Sequence, residues 1–244
     1  MIKSKLQLVW LVLLIFGSQA IFAEASVTIS GIKNETLHII SSKILLVAYN
    51  KLGYKVEFNF LPSKRSLAWA NDGVTNGEVA RVAGIEAKYP NLIPVPTPVI
   101  YLNGVAFTKN VPDSTKIEKW SDLNDFTVGI VRGYRFSDEG TKDMSPVVAK
   151  NVQHLFKILE RGRIDIAIIN LLGGKLVVAK EFKDKGIHII GKPLHSAPLF
   201  HYVNKDNKDL ISKLNKVLIE MAASGEMDKI HNQALNELIN KEVK

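Results

Sequence analysis

Two arginines stand at positions where their charge needs a partner. Arg65 falls in the first turn of a predicted helix, where a cation opposes the helix dipole. Arg81 interrupts an otherwise apolar strand, and a charge in a buried strand requires a counter-charge, for which Glu78 and Glu86 are close in sequence. Because a guanidinium binds carboxylate or phosphate in a bidentate manner, we predict that both arginines contact a ligand. The alternatives are a surface arginine at position 65 and an internal ion pair at position 81.

A second group of candidates follows a predicted strand at 127–131. Arg132, Gly133 and Tyr134 stand between this strand and a helix that we expect to begin near Ser137. The free backbone N–H groups at a helix start favour anions, and Gly133 would permit a ligand to approach the backbone closely. We therefore predict that this loop contacts the ligand, with the side chain of Arg132 or Tyr134 taking part.

The sequence lacks the motifs of several common catalytic and metal sites. It contains no cysteine, which excludes disulfides, iron–sulfur clusters and thiol nucleophiles. Its six histidines show neither HExxH nor another paired ligand spacing, and we interpret them as structural. No Gly-x-Ser-x-Gly, P-loop or Gly-x-Gly-x-x-Gly pattern occurs, although composition alone does not decide on a Ser–His–Asp triad. We predict no catalytic residue, no metal and no cofactor.

The N-terminus has the pattern of an export signal. Lys3 and Lys5 precede an unbroken apolar run at 8–16, and Ala23-Glu24-Ala25 has the small-x-small form of a cleavage site. The apolar run is far shorter than the roughly 20 residues that span a bilayer, so a membrane anchor is the weaker interpretation. We predict that residues 1–25 are a signal peptide and that the protein is periplasmic. The formal net charge of +8 is spread over dispersed lysines, which favours a solvated surface over a nucleic-acid partner.

The rest of the chain alternates between strands and helices in two successive blocks, which is typical of parallel sheets wrapped by helices. Helices are predicted at 37–52, 62–69, 117–123, 151–161, 171–181, 208–223 and 226–238, and strands at 27–31, 54–60, 78–83, 91–95, 99–108, 127–131, 164–169, 187–190 and 199–203. No linker separates the blocks, so we expect strands to cross between two lobes, outward at 102–108 and back at 195–201. The first lobe would then be discontinuous, 26–104 plus 201–244, and the second would be 105–200. Ligands of such sheets bind beyond the carboxyl ends of the strands.

Five segments in this order resemble the bacterial extracellular solute-binding proteins of family 3, the periplasmic amino-acid receptors of ABC importers. They are NKLGYKVEFNFLP, SLAWANDGVTNGEVAR, WSDLNDFTVGIVRG, LFKILERGRIDIAIIN and DLISKLNKVLIEMAASGEMDKI. The resemblance covers nearly all of residues 26–240. It implies an α/β protein with the two-lobed, type II periplasmic-binding-protein fold, in which each lobe is a mainly parallel sheet flanked by helices and two hinge crossings join the lobes.

The resemblance also assigns roles to single residues. Tyr101 lies in a stretch similar to the family's Pro-aromatic run into the hinge, which implies a stacking or lid role, with packing as the alternative. The family's acidic residue that takes the ligand's α-amino group falls on Asn170, which carries no formal charge. The position of the family's carboxylate-binding arginine holds Pro90, and the wall between the first strand and helix is reduced to 32–36.

These observations predict a monomeric periplasmic binding protein, not an enzyme. It would capture a small polar, carboxylate-bearing, amino-acid-like solute between its lobes and deliver it to the membrane permease of an ABC importer. One alternative is a stand-alone ligand sensor that acts on a membrane sensor kinase. Another is a dehydratase-like enzyme on the same fold, for which Glu78 or Asp138 would supply the carboxylate.

Overall fold

The structure is a computed structural model that describes residues 25–241. The expected signal peptide, residues 1–25, lies outside the described residues except for Ala25, which begins the first strand. Between residues 25 and 241, no helix is both long enough and apolar enough to cross a membrane.

The elements alternate between strand and helix along most of the chain. In chain order they are β1 (Ala25–Ile32), α1 (Thr36–Lys51), β2 (Tyr54–Leu61), α2 (Ser63–Asn71), β3 (Gly77–Arg81), β4 (Leu92–Pro94), β5 (Ile100–Thr108), β6 (Val128–Val131), α3 (Arg135–Gly140), β7 (Val147–Ala149), α4 (Val152–Glu160), β8 (Ile166–Asn170), α5 (Leu171–Glu181), β9 (His188–Asn204), α6 (Asp209–Ala223) and α7 (Glu226–Asn240). Most predicted elements are present to within two or three residues of their predicted bounds.

The first sheet has the strand order β2-β1-β3-β9, with the short β4 also paired to β9. Strand β1 is parallel to β2 and β3, whereas β3 and β9 are antiparallel. Helix α1 packs here because its apolar residues recur at helical spacing, and Ile40, Leu45 and Tyr49 are fully buried. Leu214 of α6 joins the same core. This arrangement forms the first lobe.

The second sheet continues from β9 in the order β9-β5-β8-β6-β7. Strand β5 is antiparallel to β8 and β9, whereas β6 is parallel to β7 and β8. Its core contains Phe107 and Phe156, whose rings meet edge to face at 5.2 Å. Helix α4 is capped by Asn151, whose side chain accepts a hydrogen bond from the backbone N–H of His154. This sheet and its helices form the second lobe.

The predicted two-lobed α/β fold is confirmed, and three details of the strand and helix assignment are wrong. The two strands expected at 187–190 and 199–203 form one strand, β9, because the residues between them pair with the start of β5. Strand β7 was not predicted, since it is only three residues long. Of the helix predicted at 117–123, only a short 3-10 helix at Trp120–Leu123 is present, whereas α3 begins at Arg135, two residues before its predicted start. The residue boundaries assigned to the two lobes stay a prediction.

Candidate functional site

Polar side chains from both lobes meet where the carboxyl ends of β1 and β6 face each other. Glu35 follows β1 and immediately precedes α1, and Tyr134 follows β6 and immediately precedes α3. The Tyr134 hydroxyl donates a long hydrogen bond of 3.3 Å to Glu35 Oε2, although the two residues are 99 positions apart. This contact links the two lobes at the edge where ligands of open α/β sheets bind.

Glu35 is an acidic side chain in a poorly solvated place. Burial raises the pKa of Glu35, and the Tyr134 hydroxyl, the backbone N–H of Leu37 and the charge of Arg81 oppose this shift only in part. Burial and the neighbouring carboxyl of Glu35 likewise raise the pKa of the Tyr134 phenol. In the described part of the chain, Glu35 forms no ion pair. The carboxyl group thus has room for another donor.

Arg81 is held by its own lobe. Its Nε and Nη2 lie 2.8 and 2.7 Å from Glu78 Oε1, its Nη1 donates to Ser63 Oγ at 3.0 Å, and its Nη2 donates to the Ser63 carbonyl at 3.2 Å. Glu78 is completely buried, and the hydroxyls of Ser66 and Ser30 lie 2.5 and 2.9 Å from its Oε2. Burial raises the pKa of Glu78, while Arg81 and the two hydroxyls lower it. Of the two carboxylates considered from sequence, Glu78 and not Glu86 is therefore the partner of Arg81.

Two buried histidines lie beside this group. His38, on α1, accepts a hydrogen bond from the backbone N–H of Ile32 through Nδ1, and burial together with the charge of Arg81 lowers its pKa well below the usual value. His201, on β9, has Nδ1 2.7 Å from the carbonyl of Glu78 and Nε2 2.9 Å from the Tyr49 hydroxyl. Since a carbonyl can only accept, Nδ1 carries the proton and Nε2 accepts from Tyr49.

The burial of His201 predicts a loss of stability in acid. Burial lowers the pKa of His201 to about 4 from the model-peptide value of 6.5, so the folded state binds its proton less readily than the unfolded chain. The contribution of neutral His201 to the free energy of unfolding is fully present above pH 6.5 and is lost as the pH drops toward 4. The free energy of unfolding is therefore expected to be about 2 kcal/mol lower at pH 5 than at pH 7. Urea unfolding at these two pH values measures it. In the variant His201→Gln this part of the loss should disappear, and an unchanged pH dependence would contradict the assignment.

Asn170 is the last residue of β8 in the second lobe and immediately precedes α5. It is 1% exposed, and its Oδ1 accepts a hydrogen bond of 2.7 Å from the backbone N–H of Gly173, which caps the helix. Its amide nitrogen Nδ2 is buried and has no partner among the described residues. Asn170 pairs in register with Gly104, over which the ring of Phe136 packs, and Phe136 meets Tyr134 edge to face at 6.3 Å. These contacts place Asn170 on the same edge of the second sheet as Tyr134.

The other predicted site residues differ in how far they join this group. Arg132 is exposed, and its backbone N–H is used by the carbonyl of Ala149. Gly133 has a φ of +86°, a left-handed conformation that favours glycine. Arg65 is exposed in the first turn of α2, which agrees with its interpretation as a surface arginine. Tyr101, 54% exposed, lines a separate cavity of about 350 Å³ between the start of β5 and α7, so the structure does not bring it together with the rest.

Glu35 and Ser63 are candidate site residues that the sequence analysis missed. An acidic residue just before a helix is ordinarily explained by the helix dipole or by capping, and this explanation hides any other role. Here the carboxyl group of Glu35 also contacts the Tyr134 hydroxyl of the other lobe, a contact visible only in the folded chain. Serines such as Ser63 are too common at helix starts to be distinctive.

Comparison of the sequence with known proteins gives no family assignment. No protein-family model matches the chain. An uncharacterized protein of Shewanella oneidensis is 25% identical over 242 residues, which is 90% of this chain and 90% of that protein.

Two solved structures illustrate the likeness in architecture. An amino acid ABC transporter substrate-binding protein from Streptococcus pneumoniae, bound to L-arginine, has a TM-score of 0.63 at 16% identity and covers 92% of this chain and 100% of its own. A histidine kinase sensor domain with similarity to periplasmic binding proteins has a TM-score of 0.64 at 14% identity, covering 86% of this chain and 96% of its own. The chain therefore has the two-lobed fold of the family 3 solute-binding proteins.

Proposed function

We propose that this protein captures a small amino-acid-like solute between its two lobes. The observation that carries the proposal is the meeting of Glu35 and Tyr134 across the lobes. Around it lie groups with unused hydrogen-bonding capacity, namely the carboxyl of Glu35 and the buried Nδ2 of Asn170. A buried donor without a partner is unfavourable, and a bound acceptor such as a ligand carboxylate removes that penalty.

The fold suggests how binding produces a signal. A ligand that touches both lobes favours the closed arrangement and shifts a hinge equilibrium between open and closed forms. A shift from 1% to 99% closed requires about 5.5 kcal/mol of differential binding. A few hydrogen bonds to charged groups, at about 1.5–3 kcal/mol each, are sufficient for that.

The carboxylate of the solute is proposed to lie near Asn170 and the loop 132–134. Asn170 Nδ2 is a donor without a partner in the described chain, and Arg132 contributes a nearby exposed positive charge. Arg81 stays at the margin of the site, since Glu78 and Ser63 already occupy its guanidinium. Arg81 contributes a positive charge near Glu35, but its guanidinium has no pair of N–H groups left to bind a ligand carboxylate.

We further propose that the protein works in the periplasm, as the predicted signal peptide implies, and hands its solute to an ABC importer. The likeness to a substrate-binding protein of an amino acid ABC transporter supports this partner. The likeness to a histidine kinase sensor domain supports a second candidate, a protein that reports the solute to a membrane kinase. The enzyme alternative loses one of its two carboxylates, because Glu78 is completely buried against Arg81 and two hydroxyls.

A thermal-shift screen of the exported protein tests capture of a solute. The panel contains L-arginine, L-glutamine, L-glutamate, glutarate and putrescine. A compound present at 100 times its Kd stabilises the folded protein by about 2.7 kcal/mol, which raises Tm by about 5–10 °C for a chain of this size. Small-angle scattering with the same compound should report a more compact molecule. No shift with any compound and an unchanged radius of gyration would contradict the proposal.

A further inference from the structure

We propose that Glu35 binds a positively charged nitrogen of the solute, an ammonium or guanidinium group, so that the first lobe holds the cationic end of the ligand. This inference rests on the proposed function and assigns the substrate class: a solute with a cation, and not an acid alone. It places the site's negative charge on the opposite lobe from Asn170.

The first step is the unused capacity of the Glu35 carboxyl group. A carboxylate offers about four acceptor sites. Among the described residues, one side chain donates to it, the Tyr134 hydroxyl at a long 3.3 Å, and one backbone group, the N–H of Leu37, so acceptor sites remain. Glu78 is the contrast, because its Oε1 faces Arg81 and its Oε2 faces two hydroxyls.

The second step is that no cation of residues 25–241 forms an ion pair with Glu35, and the charge of Arg81 compensates it only in part. The guanidinium of Arg81 is turned to Glu78 and Ser63, and His38, three residues further along the chain, is buried and has a pKa well below the usual value, so it is neutral at pH 7. Glu35 itself lies outside every ion pair of residues 25–241. An ionised carboxylate taken out of water without a counter-charge is unfavourable, and a ligand cation removes this penalty.

The third step is the distribution of charge over the two lobes. On the second lobe, Asn170 presents an amide donor and no charge, and Glu139 of α3 is already paired with Arg135 at the surface. Asp138 of α3 is exposed to water, so the acidic group at the junction that is both desolvated and outside any ion pair is Glu35. A ligand with a carboxylate toward Asn170 and a cation toward Glu35 would match both lobes.

The fourth step is that Tyr134 joins cation binding to closure. Its hydroxyl reaches Glu35 from the second lobe, so Glu35 is enclosed where the lobes meet. While the hydroxyl donates its proton to Glu35, the oxygen lone pairs of Tyr134 remain able to accept an N–H from the same cation. A ligand cation at Glu35 is thereby within reach of both lobes.

Calorimetric titration of the exported protein tests this assignment with Glu35→Gln, which removes the charge and keeps the shape. The probes are L-arginine, L-glutamine and putrescine, which carry a cation, and glutarate, which does not. We expect the cation-bearing probe that binds the unaltered protein to bind Glu35→Gln at least tenfold more weakly. Glu35→Asp should recover part of that affinity, and the exposed carboxylate variant Glu57→Gln should bind as the unaltered protein does. Circular dichroism and the unfolding midpoint without ligand establish that each variant is folded.

The outcomes separate the inference from the proposed function. Affinity of Glu35→Gln for the cation-bearing probe within twofold of the unaltered protein would overturn the role of Glu35 and leave solute capture standing. Binding of glutarate alone by the unaltered protein would do the same. Failure of every probe to bind the unaltered protein would overturn both.

Discussion

Replacement of Arg81 by alanine is expected to lower the free energy of unfolding by about 3–5 kcal/mol, because it leaves a buried carboxylate without its cation. Glu78 is 0% exposed and the Arg81 side chain is 11% exposed, so water replaces little of what is lost. The variant also removes the donors to Ser63, which joins the start of α2 to β3. Urea unfolding at pH 7, followed by circular dichroism, measures the change.

Arg65→Ala is the matched control for this prediction. Arg65 is an exposed arginine on the same lobe, and removal of a surface side chain away from any special contact changes stability by no more than about 0.5 kcal/mol. Equal effects of the two substitutions would mean that the Glu78–Arg81 ion pair does not stabilise the first lobe as described.

Phe107→Ala is expected to destabilise the protein by a similar amount, about 3–5 kcal/mol, through the cavity that it leaves in the second lobe. Phe107 is 2% exposed on β5, where its ring meets Phe156 edge to face and packs against Gly174 of α5. The substitution removes the side chain on which the start of α5 rests. The loss of stability should lower the midpoint of urea unfolding, while the dependence of the free energy of unfolding on urea concentration stays almost unchanged.

Tyr101→Ala serves as its control, because Tyr101 is an aromatic residue on the same strand that is 54% exposed. Its removal should leave the free energy of unfolding within about 0.5 kcal/mol of the original value. A larger loss from Tyr101→Ala than from Phe107→Ala would show that the core of the second lobe is wrongly described.

Much of the fold could be predicted because the signals that produce it are local. The apolar stripe of α1 and the Ser224-Gly225 break between α6 and α7 each depend on residues a few positions apart. The continuity of β9 was missed for the opposite reason. Gly191 and Pro193 are residue types that commonly break a strand. In the folded chain Gly191 is instead needed within β9, because it has a φ of +71° and a Cβ there would collide with the Ile117 carbonyl.

The candidate site was predictable only where a residue's type conflicted with its neighbours. Arg81 was a candidate because it is a charge in an apolar strand, and the sequence offered Glu78 and Glu86 as its partner. In the folded chain the partner is Glu78. Tyr101 also attracted notice, but the structure places it in a different cavity from the contact between the lobes.

The sequence by itself determined the α/β alternation, the order of the elements and the loops that follow each strand, since hydrophobic periodicity and turn residues act over short distances. Tertiary structure alone decided that Glu35 meets Tyr134, which lies 99 residues away, and that Arg81 is turned inward. Such pairs form because the packing of two sheets brings strand ends together. The sequence around each residue contains no signal that identifies its partner.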